Sequence, residues 1–388
     1  MNFKQAILFS LFIAAGASSY GQTSNLRKAK SSLQKFEELK GAGSAALGKN
    51  NLESAKEAID LAIEHDKTKN DAETWTIYAL VNANIATLDN TAEAAANASE
   101  GIEKAKKLDK DNKHAENLQV AEQVLGQFSF NEGVAAWEKQ DFVSAYTSFD
   151  KALTYLPGDT TLTYYAGLAA IQNQDYKNAI DKYKELIPVK EFSGHKSVLV
   201  DLPKLYLSSK DTTSALTYAG TAAEAYPQDN DAVIQNIELN LIAGNESQVI
   251  SQIEKQIAAD GNNKTLYYYL GIAQSASNNT DKAIEAYKKA VSIDPNYSDA
   301  NRNAAATIIN QVRDNLAVLN DDKSLSNDDY QAKVNLLKED IKDALPYLEK
   351  VVELNPTDQE ALRSLKGYYD FQQDEAKSTE LQSRIDAL

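Results

Sequence analysis

Apolar positions recur at helical spacing along nearly the whole chain, and they come in pairs of short segments. Residues 264–297, KTLYYYLGIAQSASNNTDKAIEAYKKAVSIDPNY, show the unit most plainly. Tyr267, Leu270, Gly271 and Gln274 fall at helical spacing over residues 265–277. Ala283, Tyr287 and Ala290 form one face of a second helix over residues 280–293. Asp294-Pro295 ends that helix, because proline has no N–H and clashes with the preceding turn. Large residues at one set of positions and small ones at the other predict two helices packed closely as an antiparallel hairpin. A hairpin of this size cannot bury its apolar face alone, so the rest of the chain is expected to supply neighbours.

The aromatic-x-x-Leu-Gly and Ala-x-x-x-aromatic-x-x-Ala…Pro pattern of this stretch resembles the tetratricopeptide repeat, at that family's spacing of about 34 residues. Counting outward in such units, the resemblance extends from Phe36 to the C-terminus. Residues 36–69 form a first unit with Gly43 and Leu47 in one helix and Ala55, Ile59 and Ala62 in the next. Residues 71–112 form a second, marked by Trp75, Tyr78, Ala98, Ile102 and Ala105. Its helices lie about two turns further apart than the repeat allows, so either they are extended or residues 91–98 bend. Residues 113–139 keep the helical period through Leu118, Ala121 and Leu125 and predict one long helix, with a break near Gly126 as the alternative.

Residues 126–297 carry the regular register. Gly133, Phe149 and Pro157 mark one unit, Gly167 and Tyr183 the next, and Tyr206, Ala222 and Pro227 a third in which Pro203 replaces the small residue. Residues 230–263 keep the length, lose the signature, and retain Val249 and Ile253 for an apolar face. Beyond Tyr297 the period gives way to a long helix over 298–320, a polar loop over 321–328 and a second long helix over 329–354. Together these contain an insertion, and residues 358–388 close the array with a charged helix that suits a solenoid's end. Residues 344–356, ALPYLEKVVELNP, followed by SLKGYYD, resemble the C-terminal part of exported envelope tetratricopeptide proteins of the Bacteroidota. The domain plan is therefore divergent repeats with a long connecting helix over 36–125, regular repeats over 126–297, and C-terminal repeats with a long-helix insertion over 298–388.

What the resemblance implies is an all-α fold, a right-handed superhelical solenoid of about eight or nine helix-turn-helix repeats. Only 7 prolines and 16 glycines in 388 residues agree with helix throughout. The first 21 residues stand apart: Lys4 gives a positive start, residues 6–15 are an apolar run, and the stretch Ser19-Tyr20-Gly21 ends in small residues. They are expected to be a cleavable secretory signal peptide, with a mature chain from Gln22, a flexible polar segment over 22–35, and a periplasmic destination. The apolar run is too short to span a bilayer, and no later stretch is long enough. A formal charge of −16 opposes nucleic acid and anionic lipid as partners. With no cysteine there is no disulfide, thiol chemistry or lipidated cysteine.

Catalytic and cofactor chemistry finds little to build on. Gly43-Ser-Ala-Ala-Leu-Gly48-Lys49 fits the spacing of a phosphate loop, but Asn50 replaces the magnesium-binding hydroxyl and the preceding residues 33–40 have a helical pattern. In the repeat reading, Gly43 is a small packing residue and residues 48–51 are the inter-helix turn. His65, His114 and His195 lack any metal-ligand spacing and are read as surface histidines. The acidic runs near 321–329 lack the order of a calcium loop. No cofactor, no metal and no enzymatic activity are expected.

What remains is surface. The resemblance implies a concave groove lined by first-helix side chains, which here gives Phe130, Tyr164, Val200, Ile234 and Tyr268, extended by Trp137, Leu168 and Ile272. Such an aromatic stripe suits a peptide or a partner helix, or else it packs against neighbouring helices. Lys204 and Arg302 fall near the positions of the family's carboxylate clamp but are not paired across adjacent repeats. Thr160 and Thr212 stand in Asp-Thr-Thr triplets similar to a periplasmic O-glycosylation acceptor motif of the Bacteroidota, where helix capping would also favour aspartate. The expected function is a non-enzymatic interaction scaffold for a protein or peptide in the cell envelope, of open oligomeric state. Glycan or nutrient capture is the alternative.

Overall fold

The computed structural model describes residues 24–388, and all regular structure among them is helical. The expected signal peptide and Gln22 lie outside the described residues. The chain divides between Thr212 and Thr213 into two compact units. Each is an array of antiparallel helices in which packing is chiefly between sequence neighbours.

The first unit comprises α1 (Ser24–Gly41), α2 (Lys49–Glu64), α3 (Ala72–Asp89), α4 (Ala92–Leu108), α5 (Ala115–Glu138), α6 (Phe142–Tyr155), α7 (Thr160–Gln172), α8 (Tyr176–Leu186) and α9 (His195–Ser208). Helix α3 contacts α1, α2, α4 and α5. Because it is surrounded, it buries residues on every face, from Trp75 and Ile77 through Leu80 and Val81 to Ala86. The Asn82 and Asn84 amides each donate at 2.8 Å to the carbonyl four residues back, and Asn84 also bridges to α1, donating to Glu37 at 2.8 Å and accepting from Lys40 at 2.7 Å. Residues 24–35, expected to be loosely ordered, are instead the first turns of α1. Leu26, Ala29, Leu33 and Phe36 are buried at helical spacing there, a stripe hidden by the polar residues between them. The long spacing in the second unit of sequence resolves into two extended helices, α3 and α4, rather than a bend. Helix α5 runs unbroken through Gly126. A Cβ there would stand 2.5 Å from Leu156 Cδ1, so this glycine serves packing and does not break the helix.

The second unit continues with α10 (Thr212–Ala225), which begins at the boundary, then α11 (Asn230–Ile242), α12 (Glu246–Ala259), α13 (Lys264–Ala276) and α14 (Thr280–Ile293). It ends with α15 (Ser298–Asp321), α16 (Asn327–Asp340), α17 (Leu345–Leu354), α18 (Gln359–Gln372) and α19 (Glu375–Asp386). The single helix expected over 329–354 is two helices, separated by a 3-10 turn at Ile341–Ala344. Pro346 supplies the reason. It cannot donate to the carbonyl four residues earlier, and it sits in the first turn of α17, where a missing N–H costs nothing.

One packing rule recurs inside the hairpins. A Cβ on Gly133 would lie 2.6 Å from the Phe149 ring, one on Gly167 2.6 Å from Tyr183, and one on Gly271 2.4 Å from Tyr287. In each case an aromatic ring from the second helix packs against the bare backbone of the first, sixteen residues upstream. The divergent α11–α12 hairpin meets the same space differently. There Ile237 and Ile253 occupy the two positions, both 0% exposed in one cluster, so two medium side chains replace none and a large one.

The turns also repeat. Gln140, Gln174, Lys210, Gly244 and Asn278 all take positive φ, between 58° and 76°, directly before the next helix's cap residue. Asp141 and Asp175 then accept from the Ser144 and Asn178 amides at 3.1 and 3.2 Å. A left-handed glutamine is strained by its Cβ. Gln174→Gly should therefore raise the stability of the first unit by about 0.5 kcal/mol, after the flexibility it adds to the unfolded chain. Urea denaturation checks this, and a decrease would show that the Gln174 side chain contributes contacts of its own.

Candidate binding surface

The residues expected to line a groove separate into distinct environments. Phe130 is half-buried on α5, with ring centroids 5.8 Å from Phe149 and 6.0 Å from Tyr165. Tyr164, on α7, stacks on Tyr183 at 5.8 Å and meets Phe192 edge-on at 5.4 Å. With Tyr164 and Tyr165 6.4 Å apart, these rings form a connected row across α5 to α8 and the turn after it. Burial raises the Tyr164 phenol above its ordinary value, so it is a neutral donor at physiological pH. Trp137 stands outside the row and packs edge-on against Phe142 at 5.2 Å. Leu168 is half-buried on α7, Val200 is 9% exposed on α9, and Lys204 is exposed and bonds Asp201 at 3.2 Å on its own helix.

In the second unit, Ile234 is half-buried on α11. Tyr268 and Ile272 on α13 pack, with Tyr347, against buried Ala283, Tyr287 and Ala304. Tyr268 is the centre of a tyrosine cluster, with ring centroids 5.3 Å from Tyr269, 5.1 Å from Tyr297 and 6.1 Å from Tyr287. Burial raises the phenols of Tyr268, Tyr269 and Tyr287, and pushes Tyr297 up to about 12. Arg302 forms an ion pair with Asp358, whose carboxylate also accepts from the Glu360 and Ala361 amides at 3.0 Å to cap α18. Its charge therefore anchors a helix end and is not offered to a ligand.

The expected stripe thus both packs and remains partly accessible. Tyr165, Phe192, Tyr269, Tyr297 and Glu238 join these surfaces without having been singled out from the sequence. The Tyr164-Tyr165 and Tyr267-Tyr268-Tyr269 runs were the available signal. Phe192 and Tyr297 lie between helices, where helical periodicity says nothing about their placement.

Three other expectations change. His195 is buried, at 6% exposure, and its Nε2 donates to the Ile187 carbonyl at 2.9 Å, so it ties the turn before α9 to the end of α8. Gly43 is the turn residue, with φ 75° and open space around it, whereas Gly48 is the packing residue, its missing Cβ 2.9 Å from the Phe36 ring. Lys49 bonds Asp89 at 2.7 Å, and the stretch before the motif is α1 and not a strand. Of the two candidate acceptor threonines, Thr160 is half-buried and Thr212 exposed, each the first residue of its helix. Asp159 caps α7 by accepting from Leu162 N at 2.9 Å.

A cleft of about 860 Å³ opens in the first unit where α4 and α5 meet the turn after α6. Its charged groups are engaged in structure: Lys106 bonds Glu122 at 2.5 Å, and Asp109 accepts from the Lys113 and His114 amides at 2.9 and 2.7 Å. Among the described residues no cluster of three or more His, Cys, Asp or Glu could hold a metal, and no helix is long and apolar enough to cross a membrane.

Residues 130–194 in the first unit and 265–297 in the second match models of the tetratricopeptide repeat. The chain is an all-helical repeat protein in which one stretch of each unit matches the tetratricopeptide repeat. Among solved structures it is similar to the C-terminal part of a TPR repeat-containing protein from Cytophaga hutchinsonii, at 18% identity over 67% of this chain and 95% of that one, TM-score 0.49. YrrB, described as a TPR protein with an unusual peptide-binding site, is similar at 20% identity over 49% of this chain and 94% of its own, TM-score 0.36. MamA from Desulfovibrio magneticus RS-1 is similar at 18% identity over 51% and 96%, TM-score 0.37. No curated protein sequence matches the chain.

Proposed function

We propose that this protein is a non-enzymatic scaffold that holds a protein or peptide partner on the aromatic surfaces of its first helices, and that it works in the bacterial cell envelope. The observation that carries the binding reading is the two partly accessible ring systems, Phe130–Tyr165–Tyr164 in one unit and Tyr268–Tyr269–Tyr297 in the other. Rigid aromatic side chains give large contact area at low entropic cost. The tetratricopeptide matches coincide with both ring systems. The apolar run over residues 6–15 supports the envelope location.

The test is capture from envelope extract by the tagged chain, with each captured protein quantified for the parent and for Phe130→Ala/Tyr268→Ala. Losing two aromatic anchors should weaken a specific partner about thirtyfold or more, with helicity retained. A partner held equally by the variant would overturn the aromatic-surface reading. Periplasmic fractionation of the tagged chain tests the location separately.

A further inference from the structure

We infer that the tyrosine cluster of the second unit binds an arginine-bearing, basic segment of its protein partner; this rests on the scaffold reading above and names the partner's chemistry at one site. The cluster joins three successive first helices. Tyr268 and Tyr269 lie on α13, Tyr269 donates its hydroxyl to Glu238 on α11, and Tyr297 leads into α15. Buried Tyr287, 3% exposed, forms the floor, while Tyr268, Tyr269 and Tyr297 are half-exposed above it.

The charge around these rings is one-sided. Glu238 and Asp299 are exposed carboxylates, and both bear on the Tyr268 phenol. Among the described residues neither forms an ion pair, and Glu238 accepts the neutral Tyr269 hydroxyl. The nearby cations are already matched, Lys264 with Asp294 and Arg302 with Asp358. The half-exposed rings of Tyr268 and Tyr269 are therefore accompanied by two exposed carboxylates, Glu238 and Asp299. A cation is what such a surface attracts. The protein supplies one example itself, with Lys264 Nζ 5.1 Å from the Tyr297 ring centroid.

Arginine fits better than lysine. A planar guanidinium can stack on a tyrosine face while its edge N–H groups fork to carboxylates, whereas an ammonium is a point charge without that planar fork and keeps more of its hydration. The −16 charge of the chain adds long-range steering of the same sign. An acidic peptide or a free C-terminal carboxylate would meet Glu238 and Asp299 unfavourably.

The test uses the full chain and three fluorescent peptides of one length: alternating Gly-Arg, the same with citrulline for arginine, and alternating Gly-Glu. Citrulline keeps the shape and planarity of arginine without its charge. Saturable binding of the arginine peptide, at least about tenfold tighter than citrulline and weakened by salt, is expected. Glu238→Gln/Asp299→Asn should remove most of that preference, and Tyr268→Leu should weaken the arginine peptide about tenfold; circular dichroism should be unchanged for both. Equal binding of arginine and citrulline peptides, no binding of any peptide, or no effect of the carboxylate variant each overturns the inference. If that happens while envelope capture still depends on Phe130 and Tyr268, the scaffold reading stands and only the basic-partner assignment fails. Loss of both dependences removes the two together.

Discussion

Gly271→Ile should cost the second unit about 3 kcal/mol, and adding Tyr287→Ile should restore much of it. A Cβ at position 271 would stand 2.4 Å from the Tyr287 ring, and that ring is 3% exposed with Ala283 and Ala304 in its cluster, so it has nowhere to go. Overpacking of a closed core forces side chains off rotamer or pushes the helices apart. The protein shows the remedy in its neighbouring hairpin, where Ile237 and Ile253 fill the equivalent space. The double variant imitates that pair, although it forfeits the 6.1 Å contact of Tyr287 with Tyr268. Urea denaturation followed by circular dichroism measures the cycle, with the two units allowed separate transitions. Equal loss in the single and double variants would show that volume at this contact is not the cause.

Raising the pH from about 10 towards 12 should unfold the protein cooperatively rather than titrate its tyrosines one by one. Tyr183 is 0% exposed, Tyr287 3% and Tyr78 6%, and in each burial is the first cause of a raised phenol. Tyr78 is pushed up to about 12. The folded chain thus holds protons that the unfolded chain releases near pH 10. Stability is fully present below that pH and falls as the pH climbs through the folded values. Tyr78 alone accounts for about 2 kcal/mol by pH 12. Tyrosinate absorbance and helical ellipticity should change together, and Tyr78→Phe should shift the transition to higher pH. Gradual ionisation from pH 9 with helicity intact would refute the buried state of these phenols.

Local periodicity made most of the helices legible, because each hairpin carries its own stripe and its own stop. The Gly133, Gly167 and Gly271 positions were visible as small residues, and the structure shows which ring each admits. Helix α3 was legible as a helix but not as the one its neighbours surround, since burial on all faces follows from what α1 and α5 do elsewhere in the chain. The interruption at Ile341–Ala344 turned on Pro346, which was visible in the sequence but sits in a segment whose apolar period runs on through it. At the binding surface, Tyr268 and Phe130 could be placed by counting from the repeat. Their partners Tyr297 and Phe192 could not, because turns set those positions. Lys204 and Arg302 looked available in sequence, and only coordinates reveal that Asp201 and Asp358 occupy them. His195 was read as a surface histidine, because its partner is a backbone carbonyl, which no side-chain pattern records.

The sixteen-residue separation between each packing glycine and its ring also bears on how the chain acquires its structure. Contacts that close over so short a stretch ask little loop-closure entropy of the chain before they reward it, and such topologies fold quickly. During synthesis, a hairpin such as α7–α8 has both halves of its Gly167–Tyr183 contact as soon as α8 has emerged, without waiting for distant sequence. Helix α3 is different, since the side it presents to α5 stays open until α5 is made. The N-terminal bundle therefore keeps apolar surface uncovered after its own α3–α4 hairpin has closed, even though it is synthesised first.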